Sequence, residues 1–307
     1  MKLNTSIATA LLGLSCTLTA NAEAGFARVG HLTELSPDHV LAASQLITSG
    51  KVYSLAIVTG PDTPAFGHRN YQMLTDNIYV GDSKSAGSNK LEGYDDLAVT
   101  WLGIGTQIDG FGHVALDGKH YGDIPSSEVI RPDGAIRYSI DTVPPIIGRG
   151  ILLDVAAAAG VGQLSDGAEI QVKDLRAALT RQNTRMKAGD VVLIHTGWLS
   201  VANENAQRFL EQTPGLHASA AAWLADQKVV AIGADLWALE PWPGNDDKPD
   251  QFLPAHGLLL VERGVHILEN INTADLAKDQ AYEFFFMLAA PRLKGALQSP
   301  VHPVAIR

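Results

Sequence analysis

The run Gly103-Ile104-Gly105-Thr106-Gln107-Ile108-Asp109-Gly110-Phe111-Gly112-His113 threads an amide, a carboxylate and an imidazole through glycines. In an extended chain, side chains two apart share a face. Gln107, Asp109, Phe111 and His113 are then expected on one side, with Gly110 and Gly112 on the other. Glycine inside an ordered element costs backbone entropy and marks a place where something presses close to the backbone. A second set lies about 150 residues downstream. In Val265-His266-Ile267-Leu268-Glu269-Asn270, period two puts Glu269 on the apolar face of Val265 and Ile267. A carboxylate there must be paired, protonated or bound to a cation. His256 opens the preceding helix, just after Pro254. Gln107, Asp109, His113, His256 and Glu269 together make an N/O donor set suited to Zn or Mn. On spacing alone, the plainer roles are a turn cap for Asp109, a surface position for His113, a helix start for His256 and an ion pair with Arg292 for Glu269. His195 and Asp235 also end strands, and are expected to hold structure or orient ligands rather than bind an ion.

Composition narrows the chemistry. Cys16 is the only cysteine of the 307 residues. It falls in an N-terminal segment, 1–22, that reads as a signal peptide: Lys2, a short apolar run and Ala20-Asn21-Ala22 before the expected cleavage point. The mature chain, 23–307, therefore has no thiol for catalysis, disulfides or metal binding. It is expected to be exported, periplasmic or secreted. The formal charge is −10 without a Lys/Arg cluster, which argues against nucleic acid and anionic membranes as partners. The Gly-Ile-Gly of the first motif is not a dinucleotide fingerprint, because position 108 is Ile. No G-x-S-x-G elbow exists, which disfavours a serine hydrolase.

The Gly103–His113 stretch resembles the signature of the metal-dependent hydrolases of the cyclase family, H-x-G-T-H-x-D-x-P-x-H, the family of bacterial kynurenine formamidase and isatin hydrolase. Residues 256–270 are similar to its second block and 299–305 to its C-terminal segment; 149–156 and 189–198 also fit. The resemblance implies a swivelling β/β/α fold, a divalent ion held by Asp109, His256 and Glu269, and His113 in proton transfer. It further implies hydrolysis of an amide, imide or lactone of a small molecule, by a homodimer. Two ligand histidines of the family are Gly103 and Gln107 here, and its proline is Phe111. One ion per chain is therefore expected. Gln107 stands either as a ligand through its carbonyl oxygen or as a hydrogen-bonding neighbour of one. Gly103 leaves a space that Phe111 or a nearby tryptophan is expected to fill. A binding protein on the same fold, with the chemistry lost, is the alternative.

The elements expected to position these groups form an α/β domain with a mixed sheet, barrel-like, flanked by helices. Helices are read at 36–50, 174–186, 218–227 and 256–264. Strands are read at 52–58, 97–105, 150–156, 190–198, 229–235, 265–270 and 283–290. The segments 60–95, 114–134 and 237–254 read as loops, with the first and last expected to shape the pocket.

Overall fold

A computed structural model describes residues 30–77, 87–244 and 251–307. The signal-peptide reading and Cys16 lie outside these residues. Nine strands form one mixed sheet that curls into a half-barrel with helices around it. In chain order they are β1 (Val52–Ser54), β2 (Gln107–Asp109), β3 (Ile146–Asp154), β4 (Val191–His195), β5 (Ala231–Ala234), β6 (His266–Glu269), β7 (Glu283–Leu288), β8 (Gln298–Pro300) and β9 (Val304–Ile306). Their order across the sheet is β1-β9-β7-β3-β4-β5-β6-β2-β8. The four central strands, β3 to β6, run parallel, and antiparallel strands extend the sheet on both sides.

Central parallel strands are covered on both faces, and their sequences are accordingly continuous apolar runs. Alternation divides them cleanly. Ile151, Leu153, Val192, Ile194, Ile232 and Ile267 pack in one core. Ile108, Leu152, Val191, Leu193, Ala231 and Leu268 pack in the other. Helices α2 (Val172–Gln182) and α3 (Ala218–Asp226) cover the first face through Leu175, Ala178, Ala220, Ala221 and Leu224. Helix α1 starts as the sequence indicates, with the Ser36 hydroxyl accepting from the His39 amide and Pro37 in the first turn. It spans only Pro37–Ser44, short of Gly50. Among the described residues, no helix is long and apolar enough to cross a membrane.

Three readings are corrected. The segment 60–95 is not only loop: Tyr71–Asn77 pairs antiparallel with Tyr94–Thr100 in a projecting hairpin. Its residues are mostly exposed, so no buried face imprints a period on its sequence. The strand expected over 97–105 ends at Thr100. Beyond it the backbone turns at Gly105 (φ +72°), where a Cβ would lie 2.0 Å from the Thr59 hydroxyl. Finally, the helix expected at 256–264 is an α-turn, Pro254–His256, running into a π-helix, Gly257–Arg263, that Gly264 (φ +64°) terminates.

Candidate metal centre

Sheet register builds the site. β2 lies between β6 and β8, with Glu269 opposite Gln107, and Gln298 opposite Asp109. Directly opposed residues on one face are close enough to bond. The Gln107 amide donates to Glu269 at 2.6 Å, and the Gln298 amide donates to Asp109 Oδ1 at 2.8 Å. His256 arrives from the helix start and places Nε2 3.2 Å from Glu269 Oε1 and 3.8 Å from Asp109 Oδ2. All three side chains are buried, and one ligand atom from each lies within 4.8 Å of the others. Tetrahedral coordination with bonds of about 2.1 Å separates ligand atoms by roughly 3.4 Å, so these spacings suit one ion.

Two further oxygens bear on the fit. Asp109 Oδ2 and Gln107 Oε1 are buried without a hydrogen-bond partner. Leaving a carboxylate oxygen so exposed to low dielectric is strongly unfavourable unless a cation meets it. The donor set therefore fits a divalent ion on Asp109, His256 and Glu269, with the Gln107 carbonyl within the same face.

Glu240 was missed by sequence reading. It is fully buried; its carboxylate accepts from the Ala255 and His256 amides, both at 2.9 Å, and from His256 Nδ1 at 2.6 Å. One residue thus caps the helix start and fixes the imidazole so that Nε2 faces Asp109 and Glu269. This is the carboxylate–histidine pairing that orients metal ligands. Nothing local in Trp237–Gly244 marks it, because its partners are 15 and 16 residues away.

The electrostatics follow from burial and crowding. Burial pulls the His256 imidazolium down, but the hydrogen bonds to Glu240 and Glu269 outweigh it and push its pKa up to about 10. Burial, then the charge of Asp109, push Glu269 up to about 7. Burial lowers His113 below its ordinary value, against the pull of Asp109.

The expected ray of four side chains holds only as far as Asp109. There the strand ends, and a turn closed by the His113 amide on the Gly110 carbonyl at 2.9 Å redirects the chain. Phe111 leaves the row and stacks on His266 at 4.3 Å. His113 comes back near enough to Asp109 and His256 to feel the charge of both. Glu269 pairs with Gln107 and His256 rather than Arg292. Neither Phe111 nor a tryptophan fills the space at Gly103. A Cβ there would lie 2.7 Å from Gln298 Oε1 and 2.9 Å from Arg69 Nη1, so those two side chains occupy it. The two loops expected to shape a pocket do meet: Phe66 stacks on Trp237 at 5.0 Å, and Trp242 is edge-on to both.

His195 and Asp235 lie apart from this group. His195 continues the face of Val191 and Leu193, opposite to that of Ile194. It borders a cavity of about 890 Å³ whose lining includes Ile57, Asp235, Thr273 and Lys278 but none of the three candidate ligands.

The Cyclase family model matches residues 53–241, more than half of the chain. The fold is similar to a solved structure described as a novel cyclase, at 28% identity and TM-score 0.82, covering 91% of this chain and 96% of that one. It also resembles isatin hydrolase A from Ralstonia solanacearum, at 19% identity and TM-score 0.62, covering 89% and 98%. A predicted metal-dependent hydrolase from Bacillus stearothermophilus matches at 19% identity and TM-score 0.53, covering 84% and 98%. No curated protein matches the sequence.

Proposed function

Because the chain belongs to the cyclase family, we propose that it is a metal-dependent hydrolase opening a C–N or C–O bond in an amide, imide or lactone of a small aromatic molecule. The observation that carries this reading is the pair of buried, unpartnered oxygens on Asp109 and Gln107 beside His256 and Glu269. An ion bound there supplies a Lewis acid and makes a water molecule more acidic. Zn and Mn both suit the donors, at one per chain.

The chain's own residues divide the remaining work. Glu240 holds His256 in place through Nδ1, leaving Nε2 for the ion. His113, kept largely neutral at pH 7 by its lowered pKa, takes the proton of the attacking water and returns it to the departing nitrogen or oxygen. The Phe66–Trp237–Trp242 cluster supplies a flat apolar wall, which supports an aromatic substrate. The names of the fold relatives, isatin hydrolase among them, point the same way. Export through the leader and a homodimer complete the reading. Met73, Leu74, Leu97 and Val99 of the hairpin are each about half exposed, and a second copy would cover them.

The test is elemental analysis of purified protein after exhaustive dialysis, followed by screening of aryl amides, imides and lactones. One Zn or Mn per chain with turnover upholds the reading. A protein that takes up neither ion, yet binds an intact ligand, favours the non-catalytic alternative, to which the absence of a histidine at Gly103 lends weight.

A further inference from the structure

Arg69 is half-buried and stands beside a strongly acidic group, yet among the described residues no carboxylate lies within ion-pair distance of it. Among the described residues its side chain makes one hydrogen bond, from Nη1 to the Gly103 carbonyl, at 2.8 Å. Gly103 makes this possible, since any Cβ there would intrude on both Nη1 and the Gln298 amide. Gln298 in turn bonds Asp109 Oδ1. A single amide thus stands between the guanidinium and a candidate metal ligand. The positive charge of Arg69 reaches His113 and Glu269 as a minor influence, behind burial and the nearer charges.

We propose that Arg69 is the anion clamp of this site, holding the carboxylate that hydrolysis generates beside the ion. The proposal rests on the hydrolase reading above and deepens it. Hydrolysis adds water across the acyl carbon: a C–O bond forms, the C–N or C–O bond breaks, one proton of the water goes to the leaving atom and the other to solvent, and the acyl half ends as a carboxylate. The negative charge develops on oxygens next to the ion. A planar guanidinium whose Nε and Nη2 have no partner among the described residues matches a carboxylate in two parallel hydrogen bonds. Charge balance agrees. Asp109, Glu240 and Glu269 contribute three negative charges, which one divalent ion and Arg69 neutralise when His256 is neutral; without Arg69 the site would be net negative and would repel a carboxylate. A second divalent ion would leave the buried site with a net positive charge, so Arg69 also accounts for a single-ion centre. Phe66, three residues before Arg69, belongs to the aromatic wall, so the carboxylate expected is an aryl one.

The experiment titrates benzoate, and separately benzamide as the neutral control, into the full-length protein by calorimetry, with metal content measured on every sample. Arg69→Ala is expected to weaken benzoate at least tenfold, to change benzamide less than threefold, and to keep one ion per chain. Arg69→Lys should recover little, because the fork is lost. Gly103→Ala retains Arg69 but pushes its head group aside, and should weaken benzoate in the same direction. It also guards against misfolding of the Arg69 variants, since only flexible side-chain ends must move. Equal benzoate affinity in wild type and Arg69→Ala overturns the proposal, as does a metal-loaded wild type that binds no benzoate. If the wild type takes up no ion, the hydrolase reading fails by itself. Arg69-dependent benzoate binding to that metal-free protein would still uphold the clamp, and Arg69-independent binding would overturn it.

Discussion

Two histidine–carboxylate groups, one buried and one partly exposed at its histidine, stand at strand ends of the same sheet, and they differ in whether their oxygens are satisfied. Asp235 Oδ1 accepts from the Thr196 amide at 2.9 Å and the Thr196 hydroxyl at 2.7 Å; Oδ2 accepts from the Gly197 amide at 2.8 Å. His195 Nδ1 sits 3.4 Å from Oδ2 and is hydrogen-bonded to Thr273 at 2.8 Å. That network is closed by its own neighbours. At the other group, Asp109 Oδ2 and Gln107 Oε1 have no hydrogen-bond partner, with His256 Nε2 3.8 Å from Oδ2. Similar residue types thus form a fully hydrogen-bonded network in one place and an incompletely hydrogen-bonded donor set in the other. Only the inventory of partners separates them.

The sharpest test of that contrast is a pair of substitutions. Asp109→Asn should abolish metal uptake, read by elemental analysis, while leaving the metal-free protein at least as stable as metal-free wild type, because the charge repulsion between Asp109 and Glu269 is gone. Asp235→Ala should do the reverse. It strands three buried donors and should lower stability by about 2–5 kcal/mol in denaturant unfolding, at roughly 1–3 kcal/mol per unsatisfied group before relaxation, with ion content unchanged. Matching behaviour of the two variants would erase the distinction.

A smaller effect is expected at Glu240, which acts on the ion through His256. Glu240→Gln should weaken the ion by roughly 10–100-fold in a competitive chelator titration, as loss of an orienting carboxylate typically does. Unchanged affinity would reduce Glu240 to a helix cap. The last effect is in proton count. With His256 at about 10 and Glu269 at about 7 in the metal-free protein, an ion must displace the His256 proton over pH 7–10, and the Glu269 proton as well below pH 7. Apparent affinity should therefore fall as pH falls, about tenfold per unit above pH 7 and more steeply below it. Calorimetry in buffers of different ionisation enthalpy reads the released protons directly. A pH-independent affinity would mean that neither group is a ligand.

Much of this was legible beforehand, for definite reasons. Glu269 announced itself because a strand's period of two put a charge on the apolar face of Ile267. The pairing of β2 with β6 supplied what period alone lacked, a partner strand and its register. The turn at Gly110–Gly112 was marked by its glycines, but its direction was not, and so the stacking of Phe111 on His266 was not foreseen. The strand Tyr71–Asn77 and its pairing with Tyr94–Thr100 escaped notice because the described residues of both strands are largely exposed.

The sequence by itself determined the chemical alphabet: no cysteine after residue 16, an acidic chain, Asp109, His256 and Glu269 as oxygen and nitrogen donors, and strands whose apolar runs demand a sheet covered on both faces. These are properties of residue types and of short-range periodicity, which a linear string carries in full. The tertiary structure alone decided that Glu240 orients His256, that Gln298 and Arg69 occupy the space Gly103 leaves, and that Asp235 is satisfied while Asp109 is not. Each of those depends on hydrogen bonds and close approaches between groups from about 15 to nearly 200 residues apart. Short-range periodicity cannot specify such distances; they exist only once the sheet has closed.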